Sequence, residues 1–153
     1  MSALKDRLRA DLTTAIKARD EVTSSTLRMV LTAVTNAEVS GKEARELTDE
    51  DVMSVLASEG KKRREAAEAF DAADRGPQAD KERAEAAVIA AYLPEQLDAD
   101  AIAALVADAI ASTGAAELGP RGIGKVMGVV TPQVKGRADG GVVAAEVKRQ
   151  LGA

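Results

Sequence analysis

The chain has 153 residues, a net charge of −4, an isoelectric point near 5, and neither histidine nor cysteine. These values exclude disulfides and thiolate chemistry, remove the commonest general base and metal ligand, and disfavour a globally basic nucleic-acid-binding surface. The N-terminus lacks an apolar signal core, and no apolar run approaches the roughly 20 residues of a membrane span. We therefore expect a cytoplasmic protein that does not contact membranes.

Apolar residues at helical spacing predict two amphipathic helices at the start of the chain. The first covers approximately residues 3–18. The second begins after Asp20, whose carboxylate can cap the helix, and ends near Gly41, because glycine is a common C-terminal stop.

The third predicted helix has the clearest start signal. Thr48 opens an acidic variant of the capping box and is flanked by residues that can form a hydrophobic staple. The helix is expected to extend to about Phe70 and to be ended by Gly76-Pro77. A fourth helix follows over approximately 79–92.

The Leu93-Pro94 pair closes the fourth helix, because proline disfavours a helical conformation in the residue before it. Residues 94–98 are therefore expected to separate an N-terminal helical domain, 1–93, from a C-terminal helical domain, 94–153. No segment alternates apolar and polar residues for long enough to form a strand, so the predicted fold class is all-α.

Three shorter helices are predicted in the C-terminal domain. Asp98 can cap the first, and Gly114 ends it. The second covers 123–134 after a glycine-rich stretch and is expected to be interrupted near Pro132. Asp139 can cap the third. The expected architecture is a four-helix part followed by a three-helix part.

No residue pattern indicates a catalytic centre. An acyl-transfer triad is not available without histidine or cysteine, and a Ser58–Lys62 spacing occurs in almost any lysine-rich helix. The carboxylates are expected on solvated helix faces, and none of their spacings resembles a calcium loop. The glycine-rich stretch 119–128 follows no strand and is neither a P-loop nor a dinucleotide fingerprint. We expect no catalytic residue, no metal and no cofactor.

The densest charge run is the basic tetrad 61–64. Successive residues on a helix are about 100° apart, so the tetrad surrounds the helix and does not form one face. Glu59, Glu65 and Glu68 lie alongside and neutralise part of its charge. A solvated helix with local ion pairs is the favoured interpretation, and a nucleic-acid or partner contact is the alternative.

The stretch 118–138 is more informative, because it contains four basic residues and no acidic one. These residues are Arg121, Lys125, Lys135 and Arg137. Arg121 and Lys125 are expected to point to solvent, opposite the apolar stripe of the helix. Gly124 and Gly128 should leave the backbone beside them uncovered.

Exposed basic side chains beside uncovered backbone suit phosphate contacts, which read shape and not base sequence. The free N–H groups at the start of the last helix are expected to add an anion site. The near absence of aromatic residues disfavours base stacking, so folded or duplex RNA is the better candidate. The alternative is that the glycines allow tight helix packing and the charges only add solubility.

Several runs together resemble the GatB/YqeY family, and the match spans essentially the whole chain. The runs are Ser25–Met29, Asn36–Glu38, Tyr92–Leu97, Gly124–Gly128 and Pro132–Gly140. The chain is similar to a free-standing YqeY-like protein and not to the amidotransferase B subunit, which carries a large catalytic cradle before a similar tail.

The resemblance implies an all-helical protein whose C-terminal part is similar to the tail domain of the tRNA-dependent amidotransferase. That enzyme converts Glu or Asp misacylated on tRNA to Gln or Asn, with glutamine as nitrogen donor, and its tail helps to hold the tRNA. The cradle has no counterpart here, so the family's carbon–nitrogen ligase activity with glutamine as amido donor is expected not to be intrinsic. The residues carried over are Lys125, Gly128, Lys135, Gly136 and Arg137. Arg121 belongs to an insertion-like run and is a weaker candidate.

Three functional hypotheses follow. The first is a non-catalytic tRNA-binding accessory protein that contacts RNA backbone through its C-terminal helices. The alternative is a helical protein–protein interaction module, whose N-terminal helices dock an amidotransferase or another translation partner through an apolar groove. Intrinsic enzymatic activity is a third and weaker hypothesis.

Overall fold

A computed structural model describes residues 2–153, so Met1 of the predicted N-terminal domain lies outside the described residues. These residues contain seven α-helices, one 3-10 segment and no strand, which confirms the all-α prediction. The helices are α1 Ala3–Lys17, α2 Glu21–Val39, α3 Asp49–Ala72, α4 Gly76–Ala90, α5 Ala99–Thr113, α6 Ile123–Val134 and α7 Gly140–Gln150. The 3-10 segment is Ala115–Gly122.

The chain divides into two compact units, an N-terminal unit that ends at Leu93 and a C-terminal unit, Pro94–Ala153. Each unit has its own core of aliphatic side chains. The N-terminal core is Leu8, Leu27, Val30, Val34, Leu47, Val52, Leu56 and Ile89. The C-terminal core is Ile102, Val106, Ala109, Ile110, Ala115, Val126, Val130, Val134, Val143, Val147 and Leu151. Each fully buried large side chain contributes about 1.5–3 kcal/mol.

Four helices begin at the caps that the sequence predicts. The side chains of Asp20, Asp98 and Asp139 each accept a hydrogen bond from a backbone N–H in the first turn of the helix that follows. Thr48 accepts from the N–H of Asp51, and the Asp51 carboxylate accepts from the N–H of Thr48, so the predicted capping box is confirmed. Each cap stabilises its helix by about 1 kcal/mol.

The predicted end of the third helix at Gly76-Pro77 is wrong. α3 ends at Ala72, and the chain leaves it through Asp74, whose φ of 58° lies in the left-handed region that aspartate tolerates better than most residues. Gly76-Pro77 instead opens α4. Proline suits the first turn of a helix, because its missing N–H would have no partner there.

The predicted interruption of the sixth helix is also wrong, because α6 continues through Pro132 to Val134. Pro132 lies in the last turn, so few residues follow it and little of the hydrogen-bond ladder is lost. Since proline has no N–H, the carbonyl of Gly128 receives no bond from residue 132. Gly128 and Pro132 are both exposed to solvent, where water can satisfy that carbonyl.

Buried ion pairs join α3 to α4. The guanidinium nitrogens of Arg63, on α3, lie 3.1 Å from a carboxylate oxygen of Glu59 on the same helix. On α4 they lie 3.5 Å from a carboxylate oxygen of Glu85 and 3.9 Å from one of Glu82. Glu59 and Glu85 are only 7% and 8% exposed, so the expectation that carboxylates lie on solvated faces is wrong for them. A buried guanidinium without its carboxylates, or a buried carboxylate without its guanidinium, costs several kcal/mol. The ion pairs of Arg63 therefore fix how α3 and α4 pair.

Lys61 and Lys62 of the basic tetrad 61–64 form local ion pairs along α3, as the favoured interpretation of the sequence expects. Lys61 lies 3.9 Å from Glu65 and Lys62 lies 3.0 Å from Glu59. Local ion pairs are therefore confirmed for these two lysines. The Lys61–Glu65 pair is exposed at both ends, and a pair of this kind contributes at most about 1 kcal/mol.

Within the described residues, no single helix is long and apolar enough to cross a membrane. Ala99–Thr113 and Ala115–Val134 reach the required length and apolar content only together, as a pair bent by 112°. Their apolar side chains supply much of the C-terminal core, which accounts for that composition.

Gly122, at the end of the 3-10 segment, packs directly against Ala115. A Cβ at position 122 would lie 2.9 Å from the Ala115 Cβ and 3.0 Å from the Ala115 carbonyl oxygen. The first distance is shorter than real Cβ contacts and the second is tighter than most, and the atoms concerned are the Cβ and backbone of buried Ala115, which cannot swing aside as the end of a long side chain can. Glycine is therefore required here for close packing.

We expect Gly122→Ala to lower the free energy of unfolding by about 1–3 kcal/mol, because the added methyl overpacks this contact. Urea denaturation followed by circular dichroism measures the change. Gly128→Ala is the control, because a Cβ there meets no atom within 4 Å in the described structure. That variant should gain about 0.5–1 kcal/mol from the helix propensity of alanine. Equal effects of the two substitutions would contradict the packing role of Gly122.

Glu146 links hydrogen bonds on α7 to the neighbouring α5. Its carboxylate accepts from Arg149 at 2.6 Å and from Gln150 at 2.7 Å, and Gln150 also donates to the Ala103 carbonyl at 2.9 Å. The hydrogen bond from Arg149, followed by that from Gln150, lowers the pKa of Glu146 from 4.5 to about 2.

A carboxylate whose pKa is lower in the folded state stabilises the fold above its ordinary pKa, and this stabilisation is lost as the pH falls. We therefore expect Glu146→Gln to reduce stability at pH 7 and the difference from wild type to shrink between the ordinary pKa of 4.5 and pH 2. Urea midpoints measured across this range test the prediction. A difference that stays constant with pH would refute it.

Candidate nucleic-acid interface

The basic stretch that the sequence singles out extends from the 3-10 segment through α6 into the turn before α7. Arg121 lies in the 3-10 segment and Lys125 in the first turn of α6, and both are exposed. Lys135 follows the last residue of α6 and is exposed. Gly136 and Arg137 form the turn that follows and are half-buried.

Arg121 does not lie on the helix that carries Lys125, but both side chains are exposed to solvent, as the sequence predicts. α6 begins at Ile123, after a 3-10 segment in which Gly119 has φ 55° and ψ −136° and is followed by Pro120. Neither basic side chain forms an ion pair or a side-chain hydrogen bond with residues 2–153. Both are therefore available to an external anion.

The backbone beside Lys125 is uncovered, as the sequence predicts. Gly124 and Gly128 are exposed, and a Cβ at either position would meet no atom within 4 Å in the described part of the chain. The alternative that these two glycines allow tight helix packing is therefore wrong. The packing role belongs to Gly122, while Val126 and its neighbours one and two turns later face the core.

The structure places the predicted residues in two groups at opposite ends of α6. Lys125 and Lys135 are ten positions apart, which corresponds to about 15 Å along a helix axis. Gly128 lies between them. The candidate interface is therefore an elongated strip along one helix.

Gly136 and Arg137 hold the turn to the segment at the start of the C-terminal unit. Gln96 donates to the Gly136 carbonyl at 2.9 Å, and the Leu97 N–H donates to the Arg137 carbonyl at 2.8 Å. The Arg137 Nε–H donates to the Glu95 carbonyl at 3.3 Å. Gly136 has φ 74°, a conformation that favours glycine. These two residues thus have structural roles that the sequence did not reveal.

The predicted anion site at the start of α7 is already occupied by the chain itself. The Asp139 carboxylate accepts a hydrogen bond from the Gly141 N–H at 2.8 Å. Its negative charge satisfies the helix N-terminus and repels a second anion. The sequence predicted both the cap and the anion site, and only the cap is observed.

Tyr92 belongs to the run Tyr92–Leu97 and is bonded within the N-terminal unit. Its hydroxyl donates to the Asp11 carboxylate at 2.6 Å, and the Arg7 guanidinium lies 4.8 Å from the ring centre. Burial and the hydrogen bond to Asp11 raise the pKa of Tyr92 well above its ordinary value. Gln96 and Leu97 form their hydrogen bonds within the C-terminal unit. These bonds and that of Tyr92 give the run Tyr92–Leu97 a structural role.

The described residues contain no group of three or more acidic side chains placed to hold a metal ion.

Two comparisons with known proteins bear on identity. A family model described as Yqey-like protein matches residues 5–151. The chain belongs to this family. The resemblance that the sequence motifs indicate is therefore confirmed.

A fission-yeast protein is similar in sequence to part of this chain. An uncharacterized protein of Schizosaccharomyces pombe, C22F3.15, is 35% identical to this YqeY-like chain over 88 residues. The alignment covers 58% of this chain and 70% of that protein. The similarity is one of sequence, and the relative's description states no activity that could be compared.

We expect alanine substitutions to separate structural from surface basic residues. Arg137→Ala removes the bond to the Glu95 carbonyl and should lower the free energy of unfolding by about 1 kcal/mol. Lys125→Ala removes an exposed side chain without partners and should change it by less than about 0.5 kcal/mol. Urea denaturation of both variants is the measurement. If Lys125→Ala were the more destabilising, the assignment of Arg137 as a structural residue and of Lys125 as a surface residue would be wrong.

Proposed function

We propose that this chain is a cytoplasmic, non-catalytic accessory protein that binds tRNA and is related to the tRNA-dependent amidotransferase. Residues 1–93 and 94–153 act as four-helix and three-helix domains, and the second domain corresponds to the amidotransferase tail. This domain contacts RNA backbone. The observation that carries the proposal is the exposed strip along α6, where Lys125 stands free beside uncovered backbone in a stretch without acidic residues.

The chemistry of the strip suits the ribose–phosphate backbone. Lys125 and Arg121 supply charge-assisted donors for phosphate oxygens. The Gly128 carbonyl, which cannot accept from Pro132, is an exposed acceptor for a donor such as a ribose 2′-hydroxyl. Because Gly128 has no side chain, an RNA strand can approach this carbonyl closely.

The length of the strip supports contact with more than one phosphate. About 15 Å separates Lys125 from Lys135 along α6, so a single phosphate group is not expected to contact both ends of the strip. The two ends of the strip therefore reach different phosphates of the same backbone. The only tyrosine and the only phenylalanine, Tyr92 and Phe70, belong to the N-terminal unit, so the C-terminal unit cannot stack bases on aromatic rings.

Arg137 has a mixed role in this proposal. Its Nε is used by the Glu95 carbonyl, but the two terminal nitrogens of the guanidinium are not part of that bond. It can therefore contact RNA only where the turn places it, next to Lys135. Arg137→Glu would break the turn as well as reverse a charge, which makes Lys125 the better position for a test.

We expect labelled bulk tRNA to bind the wild-type protein with an affinity that falls steeply with salt. Four phosphate contacts predict a log–log slope of roughly −3, and Lys125→Glu should weaken binding and reduce the slope by about 1. Lys148→Glu is the matched control, because it reverses the charge of another exposed helical lysine of the C-terminal unit. Fluorescence anisotropy at two or more salt concentrations is the measurement.

The outcomes separate RNA binding from protein docking. Salt-sensitive binding that Lys125→Glu weakens and Lys148→Glu does not would support the α6 strip. Equal losses in both variants would indicate only a general charge effect. A folded wild-type protein that does not bind tRNA at low salt would refute the proposal.

A further inference from the structure

A concave site with a volume of about 470 Å³ lies at the corner between α1 and α2 in the N-terminal unit. None of its residues belongs to the α6 strip. The groove is lined by Ile16, Arg19, Glu21, Ser24, Ser25 and Arg28. We refer to it as the α1–α2 groove.

The groove combines an exposed aliphatic surface with two arginines. Ile16 is 47% exposed, although it continues the apolar stripe of α1. Ser24 is buried and its hydroxyl donates to the Asp20 carbonyl, so it forms part of the rigid wall. A ligand seated here would cover Ile16 and gain the free energy of removing apolar surface from water.

Arg19 and Arg28 have no acidic partner within residues 2–153, and both are exposed. This is notable in a chain of net charge −4, where most other exposed arginines of the N-terminal unit pair with carboxylates. Those paired arginines are Arg7, Arg9, Arg45 and Arg83. The groove therefore gathers two cationic side chains that the protein does not neutralise itself.

The conformation of Arg19 costs energy that the fold could avoid. Its φ is 56°, in the left-handed region that favours glycine, and a non-glycine residue there costs on the order of 1 kcal/mol. Folding alone would therefore be served better by glycine. An arginine at this position places a charged side chain on the groove.

The run Ser25–Met29 contains both buried residues and exposed residues. Thr26 and Leu27 are fully buried and are explained by packing. Ser25 and Arg28 are exposed, and neither belongs to the core. These two residues are the ones that line the groove.

From this chemistry we infer that the α1–α2 groove docks an acidic segment of a protein partner. An aliphatic side chain of that segment covers Ile16, and its carboxylates pair with Arg19 and Arg28. An RNA backbone fits less well, because the aliphatic surface at Ile16 gives a phosphate nothing to bind. The inference concerns a different unit from the proposed tRNA contact and does not depend on it.

The test uses the full-length protein and a fluorescein-labelled peptide in which a pair of leucines is flanked by glutamates. We expect this peptide to bind wild type, and the same peptide with lysines in place of the glutamates not to bind. Arg19→Gly/Arg28→Ala should weaken binding about tenfold by removing both ion pairs. Glycine suits the backbone at position 19, so this variant should stay folded.

Arg64→Ala/Arg75→Ala is the matched control, because it removes two exposed arginines of the same unit away from the groove. Its affinity for the peptide should equal that of wild type. Ile16→Ser should weaken binding of the peptide, because it removes the apolar contact. Circular dichroism verifies that all variants are folded.

Three outcomes would overturn the inference. The first is a wild-type protein that does not bind the acidic peptide. The second is equal binding by the groove variant and its control. The third is an RNA oligonucleotide that binds through Arg19 and Arg28 but is unaffected by Ile16→Ser, which would make the groove a nucleic-acid site.

Discussion

Close packing of small aliphatic side chains is the constraint on which each unit depends. Both cores consist of leucine, isoleucine, valine and alanine, without an aromatic ring among their buried residues. Helices with such short side chains bury little area unless they pack closely, and the 3-10 segment shows equally close packing in the contact of Gly122 with Ala115. Specific polar contacts then fix the geometry that non-directional apolar packing leaves open. Arg63 does so between α3 and α4, and Gln96 does so at the turn after α6.

The difference between local signals and contacts between helices explains which parts of the fold the sequence predicts. Caps and helical periodicity are local signals, so Asp20, Thr48 and Asp98 mark their helices correctly. Gly76-Pro77 was misleading, because the same pair is compatible with the end of one helix and the start of the next. The burial of Glu59 and Glu85 depends on how α3 and α4 pair, and the sequence of either helix alone does not reveal that pairing.

The candidate interface was predictable to a similar degree. Exposure of Lys125 and of the backbone at Gly128 follows from the phase of one helix, and the structure agrees. The roles of Gly136 and Arg137 depend on hydrogen bonds to residues about 40 positions away in sequence, and these could not be inferred from composition or spacing. Arg121 was misplaced because the 3-10 segment before α6 gave no periodic signal.

The placement of the single tyrosine has a spectroscopic consequence. The chain has no tryptophan, so Tyr92 is its main intrinsic fluorophore, and its hydroxyl is bonded to the Asp11 carboxylate. Ultraviolet emission therefore reports on the N-terminal unit, where α1 meets this ring, while the C-terminal unit contributes almost no signal. Fluorescence consequently reports on the N-terminal unit alone, whereas far-ultraviolet dichroism reports on the helices of both units, and comparing the two during denaturation distinguishes one cooperative transition from two.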